Sequence, residues 1–381
     1  MFYRVARCPA LKHPSTYLDW YVHTPEIRHD LRSSGITSLQ YDVDLGKIDL
    51  SLNYAHGNPE ATKLLAQRYK VSSENVFVSS EGTSGQNARI IKLLGERSPK
   101  KNEAIVEYPT YEPLLRNVQD HFKRVKRLDR RESEDYRLDA DALGKLVSER
   151  TGLLVLTNPH APSSAVADRK ELREILAVAS ERGFFVLCDE IYAEFDRQVV
   201  PTAFSVDPEW GIVTTSFTKA YGLGGLKLGT ALAKKQLVDE LYTDVLNTVG
   251  NSPNVVQLLA SEILDKGMPA LEKHKQKWNP LKNETERWLS EHDIGYFPNK
   301  LSVTYWAKLS TKDTHKWTNE HAIPHHSVAP VPGAFFLFKS DYKLVRSNMV
   351  RIGIGNISPG QTSLTEALRA LEEALNTRNS T

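Results

Sequence analysis

Lys219 stands in the stretch Ser216 to Gly229, SFTKAYGLGGLKLG, after an apolar run and ahead of four glycines and a second lysine, Lys227. A lysine in that place can be a solvated charge or a phosphate clamp. Desolvated beside a second cation, it is a nucleophile for carbonyl groups. Four other apolar runs end in unusual residues. SSEGTSGQNA sets Gly82, Thr83 and Ser84 before a helical pattern, where free N–H groups and the helix dipole suit a phosphate; a capped helix after a tight turn is the other reading. In EYPTYEP, Tyr111 can stack on a flat ligand or pack at a domain edge. In TNPHAPSS, Asn158 can bind a ligand or make a turn. FFVLCDEIYAEF closes a run on Asp189 and Glu190, with Tyr192 close behind. A carboxylate there is costly unless it meets a cation or a strong donor, or faces solvent.

These residues act together only if one scaffold brings them to one edge. NVFVSS, EAIVEYP, GLLVLTNP, FFVLCDE and WGIVTTSF are continuous apolar runs, as strands covered on both faces require. GQNARIIKLLGER and DRKELREILAVASERG are helical patterns between them. That alternation predicts a parallel, doubly wound sheet, which binds ligands outside the carboxyl ends of its strands. Upstream, NPEATKLLAQRY has Asn58 as N-cap and Pro59 opening a helix. From about residue 270 the texture changes to a long charged helix, ALEKHKQKWNPLKNETERWLSEH, the short strands LSVTYWAKL and NMVRIGIG, and a closing helix, TSLTEALRALEEALN. That is the pattern of a second, α+β domain.

The 381 residues suffice for two domains, and a net charge of +2 calls for neither nucleic acid nor an anionic membrane. Two cysteines, Cys8 and Cys188, make no disulfide framework. The first residues show no apolar export core, and no run is long enough to span a membrane, so a cytoplasmic protein is expected. FKRVKRLDRRESED mixes charges and reads as a solvated face. HAIPHH has histidines at helical spacing interrupted by Pro324, and no metal site is expected. A dinucleotide fingerprint would need glycine at Lys227, and a P-loop would need glycine at Leu226.

Together these stretches resemble the fold-type I pyridoxal-phosphate enzymes, specifically the class I/II aminotransferase superfamily, over nearly the whole chain. The resemblance rests on S-x-[ST]-K-x-Y-G-L-x-G-L-[RK]-x-G at Ser216 to Gly229 and D-E-I-Y at Asp189 to Tyr192. PTY ending at Tyr111, P-G-x-x-F at Pro332 to Phe336, and Arg351 in MVRIGIG match in family order. It implies an α/β fold with a mostly parallel, doubly wound large domain at 41–269, a small α+β domain at 270–381, and a segment 1–40 joining the small domain. It implies pyridoxal 5'-phosphate as cofactor, an amino acid as substrate, and a homodimer with shared sites. Lys219 would carry the cofactor aldehyde as a Schiff base, and Asp189 would keep the pyridine nitrogen protonated. Tyr192 would donate to the phenolic oxygen and Tyr111 would stack on the ring. Gly82, Thr83, Ser84, Ser216 and Lys227 would hold the phosphate, with Tyr54 reaching that of the neighbouring subunit. Arg351 would take the substrate carboxylate, faced by the backbone of Gly35.

Two residues depart from the family pattern. The prolines of Asn158-Pro159-His160-Ala161-Pro162-Ser163-Ser164 set Ala161 where an asparagine normally bonds the phenolic oxygen. Asn158 is then a structural residue. Lys227 replaces a phosphate-binding arginine, keeping the charge and losing the fork. Once freed, Lys219 is the general base for the Cα proton. Reprotonation on the cofactor means transamination; loss of a substituent means elimination, with ring closure open to an internal nucleophile. YLDWYVHTPEIRHDLRSSGI and the altered loop resemble the capreomycidine-synthase branch, which cyclises hydroxylated arginines by loss of water, with enduracididine-forming enzymes doing related chemistry. The expectation is therefore a cyclodehydratase, with an ordinary aminotransferase as the alternative. A non-catalytic regulator would need an added DNA-binding module, for which the N-terminus leaves no room. His23, His29 and His56 could assist a leaving hydroxyl or be surface or packed histidines.

Overall fold

A computed structural model describes residues 15–36, 49, 51, 54–298, 301–338, 345–357 and 363–377, with backbone alone over 266–277. Cys8 and the other residues before Ser15 lie outside that description. In chain order the elements begin with α1 (Thr16–His23), β1 (His29–Leu31) and α2 (Pro59–Tyr69). The alternating part runs β2 (Val76–Ser79), α3 (Gly82–Arg97), β3 (Glu103–Tyr108), α4 (Glu112–His121), β4 (Arg124–Asp129), α5 (Ala140–Leu146), β5 (Thr151–Thr157), α6 (Arg169–Arg182) and β6 (Phe185–Asp189). It continues through α7 (Ala203–Val206), β7 (Gly211–Ser216), β8 (Gly229–Leu232), α8 (Lys235–Thr248) and α9 (Asn254–Glu291). The chain closes with β9 (Gly295–Tyr296), β10 (Thr304–Lys308), α10 (Thr314–Trp317), α11 (Ile323–His326), β11 (Val328–Pro332), β12 (Met349–Gly353) and α12 (Leu364–Asn376).

The large sheet has the order β2-β8-β7-β6-β5-β3-β4. Strands β3 to β7 pair in parallel, and β8 runs antiparallel to both neighbours, β2 and β7. Successive side chains of a strand enter opposite layers. Ile105, Leu154, Leu156 and Val186 pack with Leu172, Ile175 and Leu176 of α6. Ala104, Val106, Leu153 and Val155 pack with Ile90, Ile91, Leu114 and Leu115 of α3 and α4. Both faces are dry, which is why the runs lack alternation. Tyr108, Thr157, Asp189 and Ser216 are the last residues of their strands and share the carboxyl edge.

The second sheet has the order β1-β11-β12-β10-β9, with β1 parallel to β11. The early segment therefore lies among C-terminal strands. Beyond β1 it crosses so close to β12 that a Cβ on Gly353 would lie 1.7 Å from Ser33 O, and one on Gly355 2.0 Å from Gly35 O. The expected division at 269/270 falls inside α9, which continues through it.

The helix starts follow their signals: the Asn58 side chain accepts from the Glu60 and Ala61 amides, and Asp168 forms a capping box with Glu171 at α6. The solvated reading of FKRVKRLDRRESED holds for most of the stretch, with Lys123, Arg124, Arg127 and residues 131–135 exposed, and needs correction at Leu128 and Arg130. The stretch holds the edge strand β4, with Leu128 facing the core and Arg124 and Arg127 outward. It also holds Arg130, only 3% exposed, which donates to Glu107 Oε2 at 2.8 Å. HAIPHH is helical: a π-helical turn, Thr318–Ala322, runs directly into α11, and that widened turn accommodates Pro324 just after it. Among the described residues no cluster of His, Cys, Asp or Glu could hold a metal. No helix among them is long and apolar enough to cross a membrane.

Candidate active site

Lys219 lies three residues beyond β7, and its Nζ donates to Ser34 Oγ at 2.7 Å. The Ile36 amide donates to Lys219 O at 2.9 Å. A Cβ on Gly35 would sit 3.0 Å from Lys219 Cα, so only glycine lets this segment lie so close to the lysine. Burial first, then the Arg351 and Lys227 charges, bring the amine down to about 8, against the pull of Asp189. A nucleophilic neutral amine is thus accessible near neutral pH.

Asp189 is 6% exposed at the end of β6. Asn87 Nδ2 donates to its Oδ2 at 2.8 Å and the Ile191 amide to its Oδ1 at 3.1 Å. Thr214 fixes the orientation of Asn87 by donating to its Oδ1 at 2.6 Å. Burial nevertheless pushes the Asp189 carboxyl up to about 6. Among the described residues no cation forms an ion pair with this carboxylate, and the Lys219 charge only partly offsets its burial. Tyr192 is buried, and that burial raises its phenol against the Arg351 charge and the nearby Ser34 hydroxyl. Tyr111 caps α4, with its ring 5.9 Å from that of Tyr17.

Arg351, on β12, is 3% exposed. Its Nη2 donates to Tyr17 OH at 3.0 Å and to Arg32 O at 2.8 Å, while its Nε is buried without a partner. The guanidinium lies over the rings of Tyr17 and Phe336, at 5.7 and 5.3 Å. Tyr17 is placed by α1, which Glu112 ties to α4 by accepting from Ser15 Oγ, Thr16 Oγ1 and the Tyr17 amide.

At the start of α3, Gly82 is left-handed (φ +62) and its amide donates to Lys227 O at 2.6 Å. Thr83 Oγ1 is buried with no partner, and Ser84 is exposed in the same turn. Ser216 is buried at the end of β7, its hydroxyl 2.8 Å from that of Thr218. Lys227 is exposed. The first amides of a helix have no acceptor within it, so this edge can take an anion.

Other expected positions lie apart. Tyr54 is half-buried ahead of α2, and among the described contacts none joins it to Lys219. His23 is exposed beside Asp19, His29 feels Glu366 and Glu373 of α12, and His56 lies 5.3 Å from the Tyr242 ring. Asn158 is engaged in its own loop, accepting from the Ala167 amide at 2.9 Å and donating to Ala167 O. The Ala161 amide donates to Thr157 Oγ1, and its methyl offers no donor. Three residues of the site escaped the sequence reading: Asn87, Ser34 and Tyr17. Asn87 was open to detection, as a polar residue on the buried Thr83–Asn87–Ile90–Ile91–Leu94 face of α3. Ser34 and Tyr17 lie in the stretch YLDWYVHTPEIRHDLRSSGI, but nothing in it singles them out, and only the chain crossing brings them in.

An acceptor for Arg351 Nε, an anion at Thr83, a cation for Asp189 and a carbonyl for Lys219 are what this edge lacks. Pyridoxal 5'-phosphate with an amino acid meets all four, so the residues present fit that cofactor. The sheet and the site define a fold-type I pyridoxal-phosphate enzyme. The family described as "Aminotransferase class I and II" matches residues 44–371, and the chain belongs to it; its members use pyridoxal 5'-phosphate. An aspartate aminotransferase of Pyrococcus horikoshii is 25% identical over 377 residues, 91% of each chain. A PLP-dependent aminotransferase structure from Streptococcus suis superposes with a TM-score of 0.84 at 23% identity, covering 96% of this chain and 99% of that one. The PLP-dependent cyclase OrfR superposes with a TM-score of 0.83 at 20% identity, covering 98% and 100%.

Proposed function

We propose that this enzyme acts at Cα of an amino acid with a flat or cationic side chain, and that it expels water from a hydroxylated arginine-like substrate and closes a ring. The observation that carries this reading is the wall of the site. Around Arg351 stand Tyr17, Tyr111, Tyr192 and Phe336. Among the described residues the cations felt by Lys219 are Arg351 and Lys227. Arg32 is held by both oxygens of Asp30 at 2.9 Å. A side-chain carboxylate would find no further cation there among the described residues, whereas a guanidinium needs none and suits so aromatic a wall.

Bound through Lys219, pyridoxal 5'-phosphate supplies an electron sink that acidifies the Cα proton. In this reading Arg351 grips the α-carboxylate through Nε, and Nη2 completes the fork by exchanging its bond to Tyr17 OH for the carboxylate. The free Lys219 amine takes the Cα proton, its lowered pKa matching the task. Asp189 holds a proton on the pyridine nitrogen, Tyr192 donates to the phenolic oxygen, and Tyr111 lies on the ring. Gly82, Thr83, Ser84, Ser216 and Lys227 hold the phosphate, and Tyr54 does so for the neighbouring subunit of a homodimer. With Ala161 in the loop, one donor to the phenolic oxygen is missing. Transamination is the second reading, favoured by the likeness to the Pyrococcus horikoshii aspartate aminotransferase over 91% of the chain.

Both readings are tested by adding 4-hydroxyarginine, arginine, aspartate and other amino acids without a keto acid acceptor. Repeated turnover that releases a cyclic product and leaves the cofactor on Lys219 is the expected result. One equivalent of keto acid with the cofactor left as pyridoxamine phosphate makes the protein an aminotransferase. If no lysine-bound absorption appears even with added cofactor, and K219A changes nothing, both readings fall.

A further inference from the structure

The Ser34 hydroxyl lies between two groups that the chemistry needs, the Lys219 amine and the Tyr192 phenol. Its Oγ accepts from Lys219 Nζ at 2.7 Å, and it lies near enough to the Tyr192 phenol to counter part of the rise that burial gives that group. A serine hydroxyl has one hydrogen to give, and an ammonium can only donate. If Lys219 donates to Ser34, the Ser34 hydrogen is free for Tyr192 Oη. Tyr192 then keeps its own hydrogen for a third partner on the cofactor side.

The position of Ser34 is fixed from both sides. The Ile36 amide donates to Lys219 O, and Ser33 Oγ donates to Gly35 O at 2.8 Å. Behind them Gly353 and Gly355 of the β12 segment leave no space for a Cβ against Ser33 O and Gly35 O. The backbone carrying Ser34 is thus clamped between the strand of Arg351 and the backbone of Lys219.

We infer that Ser34 is a positioning residue that anchors the free amine of Lys219 and sets the direction of the Tyr192 hydroxyl, turning that hydroxyl toward the cofactor oxygen that Ala161 leaves short of a donor. The inference rests on the proposed cofactor role of Lys219 and deepens it. No covalent step is involved; the serine orders hydrogens among three groups.

The test uses S34A, which keeps the β-carbon, and S34T, which keeps the hydroxyl. In cofactor-free protein, the pH dependence of Lys219 modification by trinitrobenzenesulfonate, read by peptide mapping, reports the amine directly. Loss of an acceptor disfavours the ammonium, so S34A should lower the Lys219 midpoint by about half a unit or more, roughly a threefold change in the ammonium-to-amine ratio at fixed pH. S34T should restore it. In loaded protein, the pH midpoint of the lysine-bound absorption should also move in S34A and return in S34T. Coincident midpoints for wild type and S34A in both forms overturn the inference, as does a shift that S34T fails to reverse. If the wild type takes up no cofactor, the proposed function fails while the cofactor-free titration still decides whether Ser34 holds the amine.

Discussion

At the residue scale, the two titrating groups of the site are both displaced toward neutrality by burial, in opposite directions. Asp189 is raised to about 6. A carboxyl raised in the fold costs stability once pH rises above its unfolded value near 3.8, and the full cost is present above about 6. The shift corresponds to about 3 kcal/mol at most in cofactor-free protein. We therefore predict that D189N stabilises cofactor-free protein at pH 7.5 and leaves it nearly unchanged at pH 4.5, measured by thermal denaturation; equal shifts at both pH values would refute this. A pyridinium beside the carboxylate reverses the sign, so D189N should weaken cofactor retention at pH 7.5. For Arg351, the orphaned Nε and the paired Nη2 define a fork that lysine cannot copy. R351K should raise KM for the amino acid roughly 10- to 100-fold with a smaller effect on kcat, read from initial rates. A fall in kcat alone would assign Arg351 a different role.

At the element scale, the strand ends were legible because each paired a dry run with a residue that such a run does not tolerate. Lys219, Asp189 and Arg351 come together for that reason, and Asn58 and Asp168 cap the helices that their types announce. Residues that depend on distant chain were not legible. β4 alternates charges at a sheet edge, so its sequence looks like solvent-facing coil until β3 is beside it. Arg130 belongs to that same charged stretch yet is buried because Glu107 meets it across the edge. Burial pushes Glu107 up to about 7 even with Arg130 adjacent. R130A strands this carboxyl, and the loss should reach about 3–5 kcal/mol, read from the urea midpoint. A loss under 1 kcal/mol would mean that Glu107 is already neutral in the fold.

At the scale of the whole molecule, the proposed homodimer would bring the half-buried Tyr54 of one subunit to the phosphate site of the other, where Ser84 and Lys227 are exposed. We predict that K219A and Y54A chains, each impaired alone, regain activity when unfolded and refolded together, because one site of a mixed dimer is then intact. No recovery on mixing would assign Tyr54 to its own chain. The glycines of β12 lead to a different consequence. Ser33 to Ile36 are synthesised well before the surface that clamps them, Gly353 to Gly355. Until then Lys219 lacks the full burial and the Arg351 charge that bring its amine down, so it stays an ordinary basic amine. The chain is expected to gain its reactive lysine only once β12 has been made and has paired. Chains truncated before Met349 should accordingly show a Lys219 that titrates near the usual lysine value.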